Sequence, residues 1–258
     1  MTPILFHIKG SIAFITLNRP EKFNAFNREM AFLLQEKLDE CESNAQIRCA
    51  LITGAGRAFC AGQDLAEVVD PNGPGMAKIL DEHYNPIIIK IRNLNKPVLA
   101  SVNGIAAGAG ANIALCCDVV IAAQSAAFLQ AFSKIGLIPD CGGTFFLPRL
   151  IGFQKASALM ILGDKVSSEE AEKLGMIYKT FPDLSFEEEA EKIAVTLASL
   201  PTKGLAYTKQ ALNKSLAQNL EQQLQTEDEL QQKAATTNDF KEGISAFLEK
   251  RKPLFKGE

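Results

Sequence analysis

The chain has no tryptophan and only two histidines, His7 and His83. That scarcity leaves little room for histidine-built metal centres or histidine catalytic dyads, and no metal site is expected. Its six cysteines, at 41, 49, 60, 116, 117 and 141, include no C-x-x-C pair and are read as free thiols. No G-x-x-x-x-G-K-[ST] run is present, which excludes a P-loop, and no G-x-S-x-G, which excludes the usual nucleophile elbow. Gly54-Ala55-Gly56 and Gly108-Ala109-Gly110 begin like dinucleotide fingerprints, but Phe59 and Ile113 stand where the third glycine belongs. The longest apolar stretch, Ile105 to Ala123, is interrupted by Gly108, Gly110, Asn112 and Asp118, so no membrane span is expected. Met1 to Gly10 lacks the basic start and apolar run of a signal peptide, and a cytoplasmic location is expected. There is no basic excess either: the net charge is -3 and the pI about 5.6, which argues against a nucleic-acid partner.

What is present is an ordinary globular composition, with 47% hydrophobic residues in a chain of 258 that can bury a sizeable core. Ile4 to Ile8 and Ile12 to Leu17 flank Lys9-Gly10-Ser11 and predict a hairpin. Asn27 can cap a helix whose Met30, Leu34, Leu38 and Cys41 share one face. Ala50–Thr53, Val98–Val102 and Val119–Ala122 predict buried strands. A loop is expected at residues 70–75, then a helical stretch to Leu94. The strand–helix–strand rhythm predicts an α/β fold over residues 1–183. Ser167-Ser168-Glu169-Glu170 and Ser185-Phe186-Glu187-Glu188 match the capping box, and residues 184–258 predict helices only.

Chemistry concentrates in three segments: Ala58 to Leu65 (AFCAGQDL), Asn103 to Asn112 (NGIAAGAGAN) and Gly136 to Thr144 (GLIPDCGGT). Each is expected to be a strand, a glycine-containing turn and a helix, an arrangement that leaves backbone N–H groups unpaired at the helix start. Two such turns converging would form an oxyanion hole; singly, small residues serve tight packing equally well. In the third segment, Asp140 can be an acid/base or simply the N-cap of a helix, accepting from the N–H of Gly142 or Gly143. The residues alone leave both readings open. Cys141 has no histidine nearby in sequence and is read as a structural thiol, and His83 as a surface side chain.

Taken in order, and with Leu17-Asn18-Arg19-Pro20, Lys96-Pro97-Val98 and Ser245-Ala246-Phe247-Leu248-Glu249-Lys250-Arg251, the segments resemble the enoyl-CoA hydratase/isomerase (crotonase) superfamily over nearly the whole chain. The resemblance implies a core of ββα repeats, a helical C-terminal section for trimerisation, and homotrimers or hexamers built as dimers of trimers. It implies an acyl-CoA substrate, with coenzyme A part of that substrate and no separate cofactor. The two backbone N–H groups that hold the thioester oxygen fall on Gln63 and Ala109. Acyl-CoA contacts are implied for Ala61, Asp64, Leu65, Asn112 and Phe132, with packing under the glycine-rich turn the other reading of Asn112, phosphate contacts for Lys22 and Lys250, and a pantetheine or acyl contact for Phe247.

The departures from the family pattern direct the functional expectation. Asn112 and Phe132 stand where family hydratases carry the two glutamates that activate water, so ordinary hydration is not expected. The single-glutamate isomerase layout uses the position of Phe132 and is absent too. Asp140 lies where a subgroup of family isomerases has an aspartate. The implied reaction is therefore isomerisation of an acyl-CoA: a Δ3 to Δ2 double-bond shift, or opening of a ring epoxide to an oxepin. One carboxylate takes a proton at one carbon and returns it at another, while the two N–H donors stabilise the enolate. Phe132, Leu137, Ile138, Phe145 and Phe146 are expected to supply an apolar setting that raises its pKa. The alternatives are a hydratase working through Asp140, an aryl-CoA dehalogenase, and a non-catalytic binder of RNA or CoA. The dehalogenases carry a tryptophan at the position of Phe132. The RNA-binding members use a lysine-rich helix, whereas the helix after Asn27 sets Arg28 and Lys37 against Glu29, Glu36, Asp39 and Glu40.

Overall fold

A computed structural model describes residues 2–258. β1 (Ile4–Lys9) and β2 (Ile12–Leu17) form the antiparallel hairpin, turning at Gly10. Asn27 caps α1 (Arg28–Ser43) by accepting from the Met30 N–H at 3.0 Å, and Met30, Leu34, Leu38 and Cys41 make its buried stripe. At the other end of α1, the Lys96 ammonium donates to the carbonyls of Cys41, Glu42 and Asn44, satisfying the last turn with a cation.

Three strand pairs follow, each running into helix. β3 (Cys49–Gly54) and β4 (Ala58–Cys60) lead to α2 (Leu65–Val69), α3 (Gly75–Lys78), a π-helical segment (Ile79–Tyr84) and α4 (Asn85–Asn93). β5 (Val98–Val102) and β6 (Ile105–Ala107) lead to α5 (Ala109–Leu115). β7 (Val119–Ala123) and β8 (Ala127–Leu129) lead through a 3-10 turn (Ala131–Ile135) to α6 (Gly143–Ile151) and α7 (Phe153–Leu162). β9 (Lys165–Ser167), α8 (Ser168–Lys173) and β10 (Lys179–Phe181) close the core. The first strand of each pair joins a six-stranded sheet, ordered β1-β2-β3-β5-β7-β10; the second joins a four-stranded sheet, ordered β4-β6-β8-β9. Every residue of β5 is buried, as expected of a parallel strand covered on both faces.

The helical C-terminal section divides in two. α9 (Phe186–Ser199) lies on the large sheet and buries Phe186, Ala190, Ala194 and Ala198, a four-residue spacing that keeps them on one face. α10 (Thr202–Ser215), α11 (Leu220–Ala235) and α12 (Asn238–Leu248) extend beyond it. α10 is tied back by Lys209, whose ammonium reaches Asp118 Oδ2 and the Ile91 carbonyl, each at 2.7 Å. Arg48 adds bonds to Thr202 Oγ1, the Leu200 carbonyl and the Phe255 carbonyl.

Three local expectations change. Ser167 accepts from the Glu170 N–H, but Ser185 makes no such cap, because it already has helical backbone angles after a 3-10 turn, and capping needs an extended residue. His83 is 1% exposed, a core residue rather than a surface one. The segment before Asp140 is the 3-10 turn rather than a strand. No helix among the described residues is long and apolar enough to cross a membrane.

Candidate active site

β4 and β6 are parallel neighbours in the small sheet, so the turns that follow them emerge side by side. In the first turn, the Phe26 N–H donates to the Gly62 carbonyl (2.7 Å) and the Asp64 N–H donates to the Phe26 carbonyl (2.8 Å). This parallel bridge uses the groups flanking Gln63 and turns the N–H of Gln63 itself to the opposite side. In the second turn, Gly108 is the N-cap of α5, so Ala109 is its first residue and its N–H has no acceptor within the helix. Gly62, at φ 94°, lets the two turns meet: a Cβ there would sit 3.1 Å from the Ala107 carbonyl oxygen and 3.5 Å from the Ala109 nitrogen.

The same helix holds the third segment. Asn112, one turn along α5 from Ala109, donates its Nδ2 to the Asp140 carbonyl at 2.8 Å and accepts from Gln130 Nε2 at 2.8 Å. The Gly143 N–H donates to the same carbonyl, also at 2.8 Å. Cys141 and Gly142 are both left-handed, at φ 51° and 71°, which turns the chain sharply into α6. α6 starts at Gly142 without any side-chain cap, so the capping role open to Asp140 in the sequence is not taken. Instead its carboxyl is half-buried, with Oδ1 shielded and unpartnered among protein groups. Burial pushes its pKa up, with the Cys141 thiol beside it pulling the other way more weakly.

Asp140 faces a cavity of about 210 Å³ that also touches Ala61, Gln63, Leu65, Ala109 and Phe132. Six of the residues expected from the sequence are thus assembled in one place. Five others lie elsewhere. Asp64 caps α2 by accepting from the Ala66 N–H and pairs with Arg19 at 2.8 Å, which occupies both carboxylate oxygens. Asn112 is 1% exposed and spends its amide on Gln130 and the Asp140 loop. Lys22 is exposed in the 3-10 turn Pro20–Lys22, and Lys250 is exposed beyond α12. Phe247, 82% exposed, lines a separate apolar groove of about 490 Å³ between α10 and α12.

The far wall of the cavity was not read from the sequence as part of a site. It consists of Val68 on α2, Met76 on α3, and Ile79 and Tyr84 at the two ends of the π-helical segment. The signal that could have found it is Pro86. Proline lacks the N–H that would bond to the Glu82 carbonyl, and its ring crowds that carbonyl. The helix responds by widening: the Asn85 N–H donates to the Leu80 carbonyl, and Gln35 Nε2 on α1 satisfies the Glu82 and His83 carbonyls at 2.8 and 3.2 Å. Among the described residues no group of three His, Cys, Asp or Glu side chains is placed to hold a metal ion.

Residues 7–258 match the family model described as enoyl-CoA hydratase/isomerase, and the chain belongs to that family, with the crotonase fold. It is 48% identical to the 1,2-epoxyphenylacetyl-CoA isomerase of Escherichia coli over 99% of this chain and 98% of that one. It is 45% identical to a Rhodobacter capsulatus protein named "Probable enoyl-CoA hydratase", over 98% of each. The enoyl-CoA hydratase structure from Bacillus anthracis superposes with a TM-score of 0.92 at 34% identity, covering 99% of this chain and all of that one.

Proposed function

We propose that this enzyme is an acyl-CoA isomerase that opens 1,2-epoxyphenylacetyl-CoA to an oxepin and moves a Δ3 double bond to Δ2. The single observation that carries the reading is the partly buried Asp140 carboxyl in a cavity that offers no second acidic side chain. Isomerisation leaves the atom count of the substrate unchanged and needs one group that removes a proton and returns it. Hydration needs water held and activated, and the positions that would carry the glutamates are Phe132 and a buried Asn112 whose amide bonds Gln130 and the Asp140 carbonyl. The N–H groups of Gln63 and Ala109 would receive the thioester oxygen and stabilise the enolate; losing one such donor costs roughly 10²–10³ in rate. The apolar wall of Val68, Ile79, Phe132, Ile135 and Leu137 suits a hydrocarbon acyl group. No resident cofactor enters this chemistry.

A hydratase is the second reading, favoured by the name of the Rhodobacter relative. Turnover in heavy-oxygen water separates the two. We expect 3-enoyl-CoA to yield 2-enoyl-CoA, and the phenylacetyl epoxide its oxepin, with no label in either product. Fast accumulation of labelled 3-hydroxyacyl-CoA from a 2-enoyl-CoA would overturn the isomerase.

We further propose a homotrimer, alone or paired into a hexamer. α10 to α12 expose Leu212, Leu224, Phe240, Ile244, Phe247 and Leu248, an apolar surface that association would cover.

A further inference from the structure

The Gln63 side chain projects beside the N–H assigned to the thioester oxygen, and its surroundings are unusually determinate. Its Nε2 donates to Glu67 Oε2 at 2.8 Å, and its Oε1 accepts from the Tyr84 hydroxyl at 2.8 Å. The two partners fix which way the amide faces. An ionised carboxylate can only accept, so the nitrogen must face Glu67 and the oxygen must face Tyr84, which therefore donates. Glu67 is held in turn by the Arg28 N–H, which donates to its Oε1 at 2.8 Å. Tyr84 is 1% exposed, packs edge-on against Phe26 with ring centroids 5.9 Å apart, and ends the π-helical segment. Phe26 is the residue that bridges Gln63 through the backbone. The turn is thus gripped twice, by main chain at Phe26 and by side chain at Tyr84 and Glu67. The anchors are themselves held: Phe26 packs against Tyr84, and Glu67, on α2, accepts from the Arg28 N–H at the start of α1.

We propose that Gln63 and Tyr84 are positioning residues: their hydrogen bond locks the oxyanion turn against the π-helical wall and so aims the Gln63 N–H at the thioester oxygen. The inference rests on the oxyanion assignment above. A donor that waits in place costs no reorganisation when charge develops, whereas one free to swing loses much of its effect; a misplacement of about 1 Å can cost on the order of 10²-fold. Gln63 is therefore more than the carrier of a backbone N–H, and Tyr84 acts on the reaction through it without touching the reacting atoms. The widened turn sets the rotation of Tyr84 at the end of Ile79–Tyr84, and Pro86, which cannot bond the Glu82 carbonyl, favours that widening.

The test uses the full-length enzyme with Tyr84→Phe, Gln63→Met and the double variant. Carbonyl polarisation is read directly as the absorbance red shift of a bound, unreactive aryl-acryloyl-CoA, and turnover is read on 3-enoyl-CoA. We expect each single variant to lose most of the red shift and to lower kcat about 10- to 100-fold with KM within about threefold. The double variant should be no worse than the poorer single one, because both remove the same bond. A full red shift and full kcat in Tyr84→Phe, with the wild type showing the shift, would overturn the clamp while leaving the oxyanion hole standing. So would losses that simply add in the double variant. A wild-type enzyme that produces no red shift would overturn the oxyanion assignment and the clamp with it.

Discussion

Asp140→Asn is the most discriminating change at the residue scale. Asparagine keeps the size of the side chain and leaves the backbone carbonyl that binds Asn112 and Gly143 untouched. It cannot take and return a proton. We expect turnover to fall by roughly 10²–10⁴, and exchange of the substrate α- or γ-proton with deuterated solvent to fall with it, while acyl-CoA binding measured by calorimetry persists. The stability of this variant carries its own signature. Burial raises the folded-state pKa of Asp140 above its unfolded value, so the ionised form is the disfavoured one. Folding then binds a proton, and the carboxylate weakens the fold as pH rises from the unfolded pKa of about 3.9 through the raised folded value. At pH 7 the Asn variant should melt at or above the wild type, and the gap should close as pH falls below the ordinary carboxylate range. Wild-type turnover should decline on the acid side with an apparent pKa higher than that of an exposed aspartate. Near-normal turnover and exchange in Asp140→Asn would move the search for the base elsewhere in the cavity.

At the scale of elements, the site depends on α5 serving two turns at once. Ala109 at its start carries one of the proposed oxyanion donors, and Asn112 one turn later holds the Asp140 loop. The register between α5 and α6 has no slack at Gly143, where a Cβ would come within 2.4 Å of Asn112 Nδ2. Gly143→Ala should therefore push Asn112 off Asp140. We expect a loss of about 1–3 kcal/mol in chemical denaturation and a fall in kcat larger than the change in KM. An unchanged kcat would show that the loop holds its place without Asn112. The same scale explains what a residue-by-residue reading of the sequence misses. Asp64, Asn112 and Gln63 all sit in the motif segments, yet only the placement of α2, α5 and the π-helical segment decides that Asp64 faces Arg19, Asn112 faces Gln130, and Gln63 faces Tyr84.

At the scale of the whole molecule, the outer helices hang on a buried ion pair. Lys209 on α10 meets Asp118 at the start of β7, and Asp118 also accepts from the Val98 N–H (2.8 Å) and from Arg92 (3.2 Å). Burial lowers the Lys209 pKa and the Asp118 charge opposes that, so the ammonium depends on its carboxylate partner. Lys209→Met should cost about 3–5 kcal/mol in denaturant unfolding, because it leaves Asp118 charged with one partner fewer. The C-terminal tail is fastened similarly: the Asp239 carboxylate, 3% exposed, accepts from the N–H groups of Lys256 and Gly257 at 2.7 and 2.8 Å. Deleting residues 245–258 would orphan it and remove Phe247 and Leu248 from the apolar face of α12. Sedimentation should then show the proposed trimer weakened, with acyl-CoA binding weakened alongside. Unchanged assembly and binding would mean that the C-terminal segment plays no part in either.

The amino-acid sequence by itself determined the α/β rhythm, the α1 cap at Asn27 and the helical end of the chain, and it placed Asp140 in a glycine-rich turn while leaving cap and acid/base both open. Each of these rests on local physics: apolar periodicity, a side chain bonding its own helix, a turn whose φ values suit glycine. Tertiary structure alone decided that the second strand of each pair leaves the main sheet for a small one. That step sets the turns after β4 and β6 side by side. It also decided that His83 lies inside, that Ser185 does not cap, and that Tyr84 closes the wall of the cavity. The places of His83 and Tyr84 depend on partners dozens of residues away, such as Gln35, Phe32 and Phe26. Which way a polar side chain faces is settled by the donor or acceptor that the fold brings to it, because buried polar groups must be satisfied and sequence spacing does not reveal by whom.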